Sequence, residues 1–135
     1  MNYVLTHLRA CADVWGNCIA AILAQDKPTL RAVNPRSWMK QTDYLDLEFR
    51  RSLRTFAAQR ADLLSGIEPL PHKDWARAAT VTGAGKVLEW TMLDYGQRLA
   101  RHERQHLRQV ASIVTAVRRR LPVADGLATP PQVQA

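Results

Sequence analysis

The sequence predicts an all-α protein, an up-down bundle of antiparallel helices, and three observations carry that expectation. Apolar residues recur at helical spacing along most of the chain. No stretch sustains the polar/apolar alternation that a half-buried strand requires. The prolines and glycines that break helices gather in two segments, 25–41 and 67–85, and divide the chain into three helical runs.

The first run spans Asn2 to Ala24, where Val4, Leu8, Cys11, Trp15, Cys18 and Ile22 fall on one face at ~100° per residue. Segment 25–41 holds Pro28 and Asn34-Pro35 and reads as a connector. Thr42 or Asp43 can cap the second run. Its stripe is Leu45, Phe49, Leu53, Phe56, Arg60 and Leu63/Leu64, and Ser65-Gly66 closes it. Segment 67–85 contains Pro69, Pro71 and Gly83-Ala84-Gly85 and reads as a second connector. A third run starts near Lys86 and extends to Arg120, where Pro122 stops it; such a length leads us to expect fraying or a bend near Gly96. Residues 1–121 are thus expected to form one helical domain, and 122–135 a disordered C-terminal tail. Both connectors are long for a plain bundle, and a fourth helix would complete the packing better.

Composition narrows the function classes. The 135 residues carry a formal net charge of +7, and 15 of the 19 basic residues are arginine. No apolar stretch reaches the ~20 residues that span a bilayer, so no membrane association is expected. The two cysteines, Cys11 and Cys18, lie ~10 Å apart on a helix, too far for a disulfide, and a cytoplasmic, reducing setting follows. Seven arginines and one acid, Glu103, occupy Arg98 to Arg120. That stripe is a candidate for anions or nucleic acid. Stacking aromatics are not interleaved with it, so nucleic acid is a minor alternative and a solvated helix face is the plainer reading.

Chemistry concentrates in the third run. With His102 as origin, Leu88, Met92, Tyr95, Leu99, His106, Val110, Ile113 and Val117 fall within an arc of roughly 80°. His102 and His106 therefore share the inward face one turn apart, which lets two imidazoles reach one metal ion; the alternative is a pair of core histidines satisfied by hydrogen bonds. Arg101, Arg104 and Arg108 point the other way. The string His102-Glu103-Arg104-Gln105-His106 also matches the His-Glu-x-x-His pattern of zinc peptidases. An all-helical frame with no strand to align a peptide, and arginine-rich flanks, make peptidase a minor alternative. Glu103 is a possible base or outer partner of the site, although it lies ~100° from His102. Gln109 and Tyr95 lie nearer the stripe and can hydrogen-bond in or beside the site.

A catalytic metal usually takes three protein ligands. His7 lies at the edge of the first stripe and can face the bundle interior, whereas His72 sits in a connector and reads as a surface residue. Cys11, four residues after His7, is a fourth ligand, a neighbouring thiol or a small core residue. Trp15 fits the first core face, Trp75 anchors the second connector, and Trp38 and Trp90 are candidates to line a pocket, with structural packing the default reading.

These residues resemble the DinB-like (YfiT-like) family. Trp75 and Arg77, then Gly83/Gly85, then His102, His106 and Gln109 on a long helix, follow its C-terminal pattern. Thr6-His7-Leu8-Arg9-Ala10 and Arg60-Ala61-Asp62-Leu63-Leu64 match its earlier segments, so the resemblance covers most of residues 4 to 115. It implies a four-helix bundle binding a divalent metal, zinc or nickel, through three histidines, here His7, His102 and His106. It further implies a metal-dependent thiol S-transferase, isomerase or hydrolase that acts on a small-molecule substrate, with a low-molecular-weight thiol as co-substrate. The alternative is a non-catalytic interaction module whose metal is structural or absent. Family members carry another helix before the first ligand, and only six residues precede His7. The expectation is a bundle whose N-terminal helix is shortened or missing, through an internal start or by supply from another subunit, with a homodimer as the assembly.

Overall fold

The computed structural model describes residues 2–121. Its first helix, α1, is Asn2–Ala24; a short strand β1 (Thr29–Arg31) and a five-residue helix α2 (Pro35–Met39) follow. A 3-10 turn at Tyr44–Asp46 leads into α3 (Phe49–Ile67), and a second at His72–Ala76 leads into β2 (Ala78–Ala84). Then come β3 (Lys86–Thr91) and the long helix α4 (Met92–Arg120). The tail expected over 122–135 lies outside the described residues.

Helix α1 is the centre of the molecule, packing against α2, α3 and α4. Its predicted stripe is buried, with Cys18 only partly so, and the core gathers Cys11, Val14, Trp15, Ile19 and Ile22 with Ala79, Met92, Tyr95 and Leu99. Contacts run in opposite order along α1 and α4: His7 meets His106, Trp15 meets Arg98, and Cys18 meets Tyr95. The two helices are therefore antiparallel.

The all-α expectation needs correction, because the mostly helical fold also carries a three-stranded sheet. Its order is β1-β2-β3, with β1 parallel to β2 and β3 antiparallel to it. The β2–β3 hairpin turns through Gly83 and Gly85, at φ of 84° and 88°, a region that disfavours any residue with a Cβ. Along β2 only Ala79 and Val81 are buried, so alternation exists. It is invisible in hydropathy, since the outward positions are Ala78, Thr80 and Thr82. Segment 86–91, read as the start of the last helix, is strand because Thr91 caps α4 instead. The Thr91 side chain accepts from the Asp94 N–H while the Asp94 carboxylate accepts from the Thr91 N–H, a reciprocal capping box. Helix α4 then continues to Arg120, and Gly96, where a bend was expected, serves packing: a Cβ there would stand 3.2 Å from the Trp75 ring.

The second helix also starts later than expected. Residues 44–46 are drawn into a 3-10 turn by tertiary contacts, and the Glu48 carboxylate caps α3 by accepting from the Arg50 and Arg51 N–H groups. Leu45, Leu53 and Leu64 of the expected stripe are 49%, 45% and 41% exposed, so α3 covers α1 only in part. Its fully buried residue is Ser52, which accepts from buried Arg9 at 2.8 Å. Arg9 also lies over the Tyr44 ring, 3.8 Å from its centroid. Asp13 accepts from Trp38 Nε1, the Tyr44 hydroxyl and Gln59 Nε2, tying α2, the 3-10 turn and α3 to α1. The second connector is anchored through Trp75 on Gly96 and through Arg77, which donates to the Leu23 and Gln25 carbonyls at the end of α1. Among the described residues, no helix is long and apolar enough to cross a membrane.

Candidate metal centre

The antiparallel pairing of α1 and α4 decides which polar groups meet. His7 and Cys11 lie one turn apart on α1, and His102 and His106 lie one turn apart on α4. The four face one another across the helix interface. His7 Nε2 is 3.0 Å and His106 Nε2 3.1 Å from His102 Nε2. Cys11 Sγ stands 3.7 Å from His7 Nε2 and 3.8 Å from His102 Nε2. Ligand atoms of His7, Cys11 and His102 all lie within 4.8 Å of one another, a group that could hold a metal ion. His106 adjoins that group through His102.

His7 is held firmly despite its place near the start of α1. Val4, Leu5, Thr6, Leu8 and Arg9 around it are buried, and Asn2 Nδ2 donates to the Leu45 carbonyl. Trp15, one turn beyond Cys11, presents its ring to His102 edge-on at 5.1 Å between centroids. Gln109 Oε1 is 2.9 Å from His106 Nδ1. Accepting that N–H fixes the tautomer whose Nε2 lone pair faces inward, as a carbonyl-type partner does for metal-ligating histidines.

The electrostatics favour neutral rings. Burial, with His106, His7 and Arg98 nearby, pushes the His102 pKa down to about 4. Burial, His106 and Arg36 lower that of His7. Burial pushes the Cys11 thiol up to about 12, against the opposing pull of Arg98 and Arg36. Neutral imidazoles offer lone pairs, and the His102 Nε2 atom has the Nε2 atoms of both His7 and His106 within hydrogen-bond distance. Tetrahedral zinc geometry with Zn–N of ~2.0–2.1 Å and Zn–S of ~2.3 Å implies N···N near ~3.3 Å and S···N near ~3.6 Å. The separations of His7, Cys11 and His102 from one another, and of His106 from His102, fit those values, so the residues present suit a divalent ion.

The remaining expected residues separate clearly. Glu103 forms an ion pair with Arg60 of α3. That removes the base that the peptidase alternative needs. Tyr95 packs against Trp90 and Cys18, two turns before His102. His72 is exposed in a 3-10 turn. Trp90 and Trp38 pack against the core and each also lines a cavity. Sequence reasoning missed Arg36, which lines the hollow beside His7 with Gln105 and Gln109, and the placement of Arg98 over Trp15. The Arg98–Trp15 contact could not be found without the pairing of α1 with α4.

No curated protein and no solved structure matches the chain significantly. A family model described as the DinB superfamily matches residues 3–110. That span covers all of α1 but its first residue, the sheet and the part of α4 that carries His102 and His106, and the chain belongs to the DinB superfamily.

Proposed function

We propose that this chain is a divalent-metal protein of the thiol-transferring or hydrolytic kind, holding zinc or nickel through His7, His102 and His106. The observation that carries the reading is the meeting of three imidazole Nε2 atoms within 3.0–3.1 Å steps at the α1–α4 interface. A bound divalent ion would lower the pKa of a thiol or water beside it, making a nucleophile at neutral pH. The chain's own residues supply positioning: Gln109 orients His106, Trp15 backs His102, and α1 delivers His7. Glu103 is engaged by Arg60 and serves no proton transfer.

A second reading is favoured by one observation, the Cys11 thiol at 3.7–3.8 Å from two of the imidazoles. With Cys11 as a fourth ligand the ion would be closed off, and the protein would be a non-catalytic module with a structural metal. Residues 1–121 act as one domain in either case, in a reducing cytoplasm that keeps Cys11 and Cys18 as free thiols. A homodimer belongs to the same proposal. Tyr3 shares a hollow with Gln109, so α4 beyond residue 110 runs past the start of α1, and Val117 there is 50% exposed.

Elemental analysis of protein purified without chelator or polyhistidine tag tests the reading. About one zinc or nickel ion per chain is expected, with loss in His106→Ala and retention in His72→Ala. A metal-free wild type that stays empty after reconstitution would sink it.

A further inference from the structure

We propose that the groove between α1, the β2–β3 hairpin and α4 binds a small amphipathic organic anion. Its ring or short acyl chain would occupy an apolar cavity, and its carboxylate, sulfonate or phosphate would sit on Arg98 and Arg101. This inference stands on the groove alone and does not depend on the metal reading.

The apolar end is a cavity of about 420 Å³ walled by Val14 and Trp15 of α1, Val81 of the sheet, and Leu88, Trp90 and Tyr95. That volume falls in the ~300–1,000 Å³ range of small-molecule sites. Arg98 stands at its mouth. The guanidinium lies over both indoles, 4.8 Å from the Trp15 ring centroid and 5.1 Å from that of Trp90. Such stacking preorganises the fork and leaves its N–H donors free for an anion. Among the described residues Arg98 has no ion-pair partner, since the two salt bridges there are Lys27–Glu89 and Arg60–Glu103.

A second hollow of about 560 Å³ continues from Trp15, Trp90 and Arg98 along α4. Arg101, Arg104 and Arg108 line it, and the single acid on its wall is Asp94, whose carboxylate is engaged by Thr91. The surface thus changes from apolar to cationic at Arg98, and a ligand that matches it has one apolar end and one anionic end. The cationic hollow reaches His102, which places the charged end of the ligand on the side of the histidine cluster. A polymer phosphate backbone would have no use for the apolar cavity, and this asymmetry favours a small molecule over nucleic acid.

Quenching of tryptophan fluorescence by naphthoate, with naphthamide as its uncharged counterpart, reads the site through Trp15 and Trp90. Naphthoate should bind saturably, and naphthamide at least tenfold more weakly. Arg98→Leu should weaken naphthoate at least tenfold while leaving naphthamide unaffected, and Arg119→Ala should change neither. Arg101→Gln should weaken naphthoate by a smaller factor, which guards against a folding defect confined to Arg98→Leu. The binding should survive chelator and the His106→Ala substitution, so its outcome is separable from that of metal binding. Equal affinity for both compounds, no loss in Arg98→Leu, or no saturable quenching would overturn the proposal. So would displacement of naphthoate by a short DNA duplex, which would reassign the arginines to phosphate backbone contacts.

Discussion

Buried polar side chains set the local energetics around α1. Asp13 accepts from Trp38, Tyr44 and Gln59, and truncating it strands three donors, each costing ~1–3 kcal/mol where water cannot replace the bond. Asp13→Ala should therefore destabilise by about 2 kcal/mol or more in chemical denaturation. Asp13→Asn, which keeps an acceptor, should cost less. Tyr44 gives this network a pH signature. Burial and the Asp13 carboxylate push its pKa up to about 12, above the value near ~10 expected when unfolded. The group thus contributes stability that is whole below pH ~10 and lost as pH rises toward about 12, because the unfolded chain ionises first. Denaturation midpoints measured across that window should fall for wild type and fall less steeply for Tyr44→Phe. The same reasoning at single residues explains the motif that marked the family. In this chain Trp75 packs on Gly96, Arg77 closes the end of α1, and Gln109 orients His106.

The helices and the hairpin differ in how far the sequence reveals them. The α1 stripe and the shared face of His102 and His106 are legible because a strong apolar contrast repeats at the helical period over many turns. The hairpin is not, since β2 alternates Ala and Val against Ala and Thr, which hydropathy barely separates. Its signals lie elsewhere, in the glycine pair at 83 and 85 and in Thr91-x-x-Asp94. Both are testable. Gly83→Ala should destabilise by ~1–2 kcal/mol, the cost of a Cβ at left-handed φ, and a Cβ there would also meet Arg31 Cγ at 3.3 Å. Thr91→Ala should cost about 1 kcal/mol by removing one arm of the cap on α4. For α4 itself, Gly96→Leu forces the Trp75 ring away and should cost ~1–3 kcal/mol, with a shift in near-ultraviolet circular dichroism. The late start of α3 was hidden for another reason. Which residue caps a helix was settled by Tyr44 meeting Asp13 and Arg9, contacts that no local pattern encodes.

At the scale of the molecule, the antiparallel pair of α1 and α4 underlies both candidate surfaces, the second with the help of the sheet. The pair gathers four ligand-type side chains and, a turn away, lays Arg98 on Trp15 of α1, where Trp90 of β3 also meets it. The histidine pair of α4 was legible as an i, i+4 motif, but its meeting with His7 and Cys11 depends on the register of α1 against α4. The apolar side chains Leu53, Leu64, Leu107 and Val117 are 45%, 41%, 64% and 50% exposed, and equilibrium sedimentation at micromolar concentration should find a dimer. Leu107→Lys with Val117→Lys should shift it to monomer without loss of helical circular dichroism. The central claim, a divalent ion among His7, His102 and His106, is met most directly by titrating apoprotein with cobalt(II). One equivalent should produce the intense visible bands of a four-coordinate ion in wild type and fail to do so in His106→Ala. A near-ultraviolet thiolate band absent from Cys11→Ser would identify the closed site, and its absence from wild type would leave a position open for chemistry. Only the faint spectrum of hydrated cobalt, identical in wild type and His106→Ala, would contradict the claim.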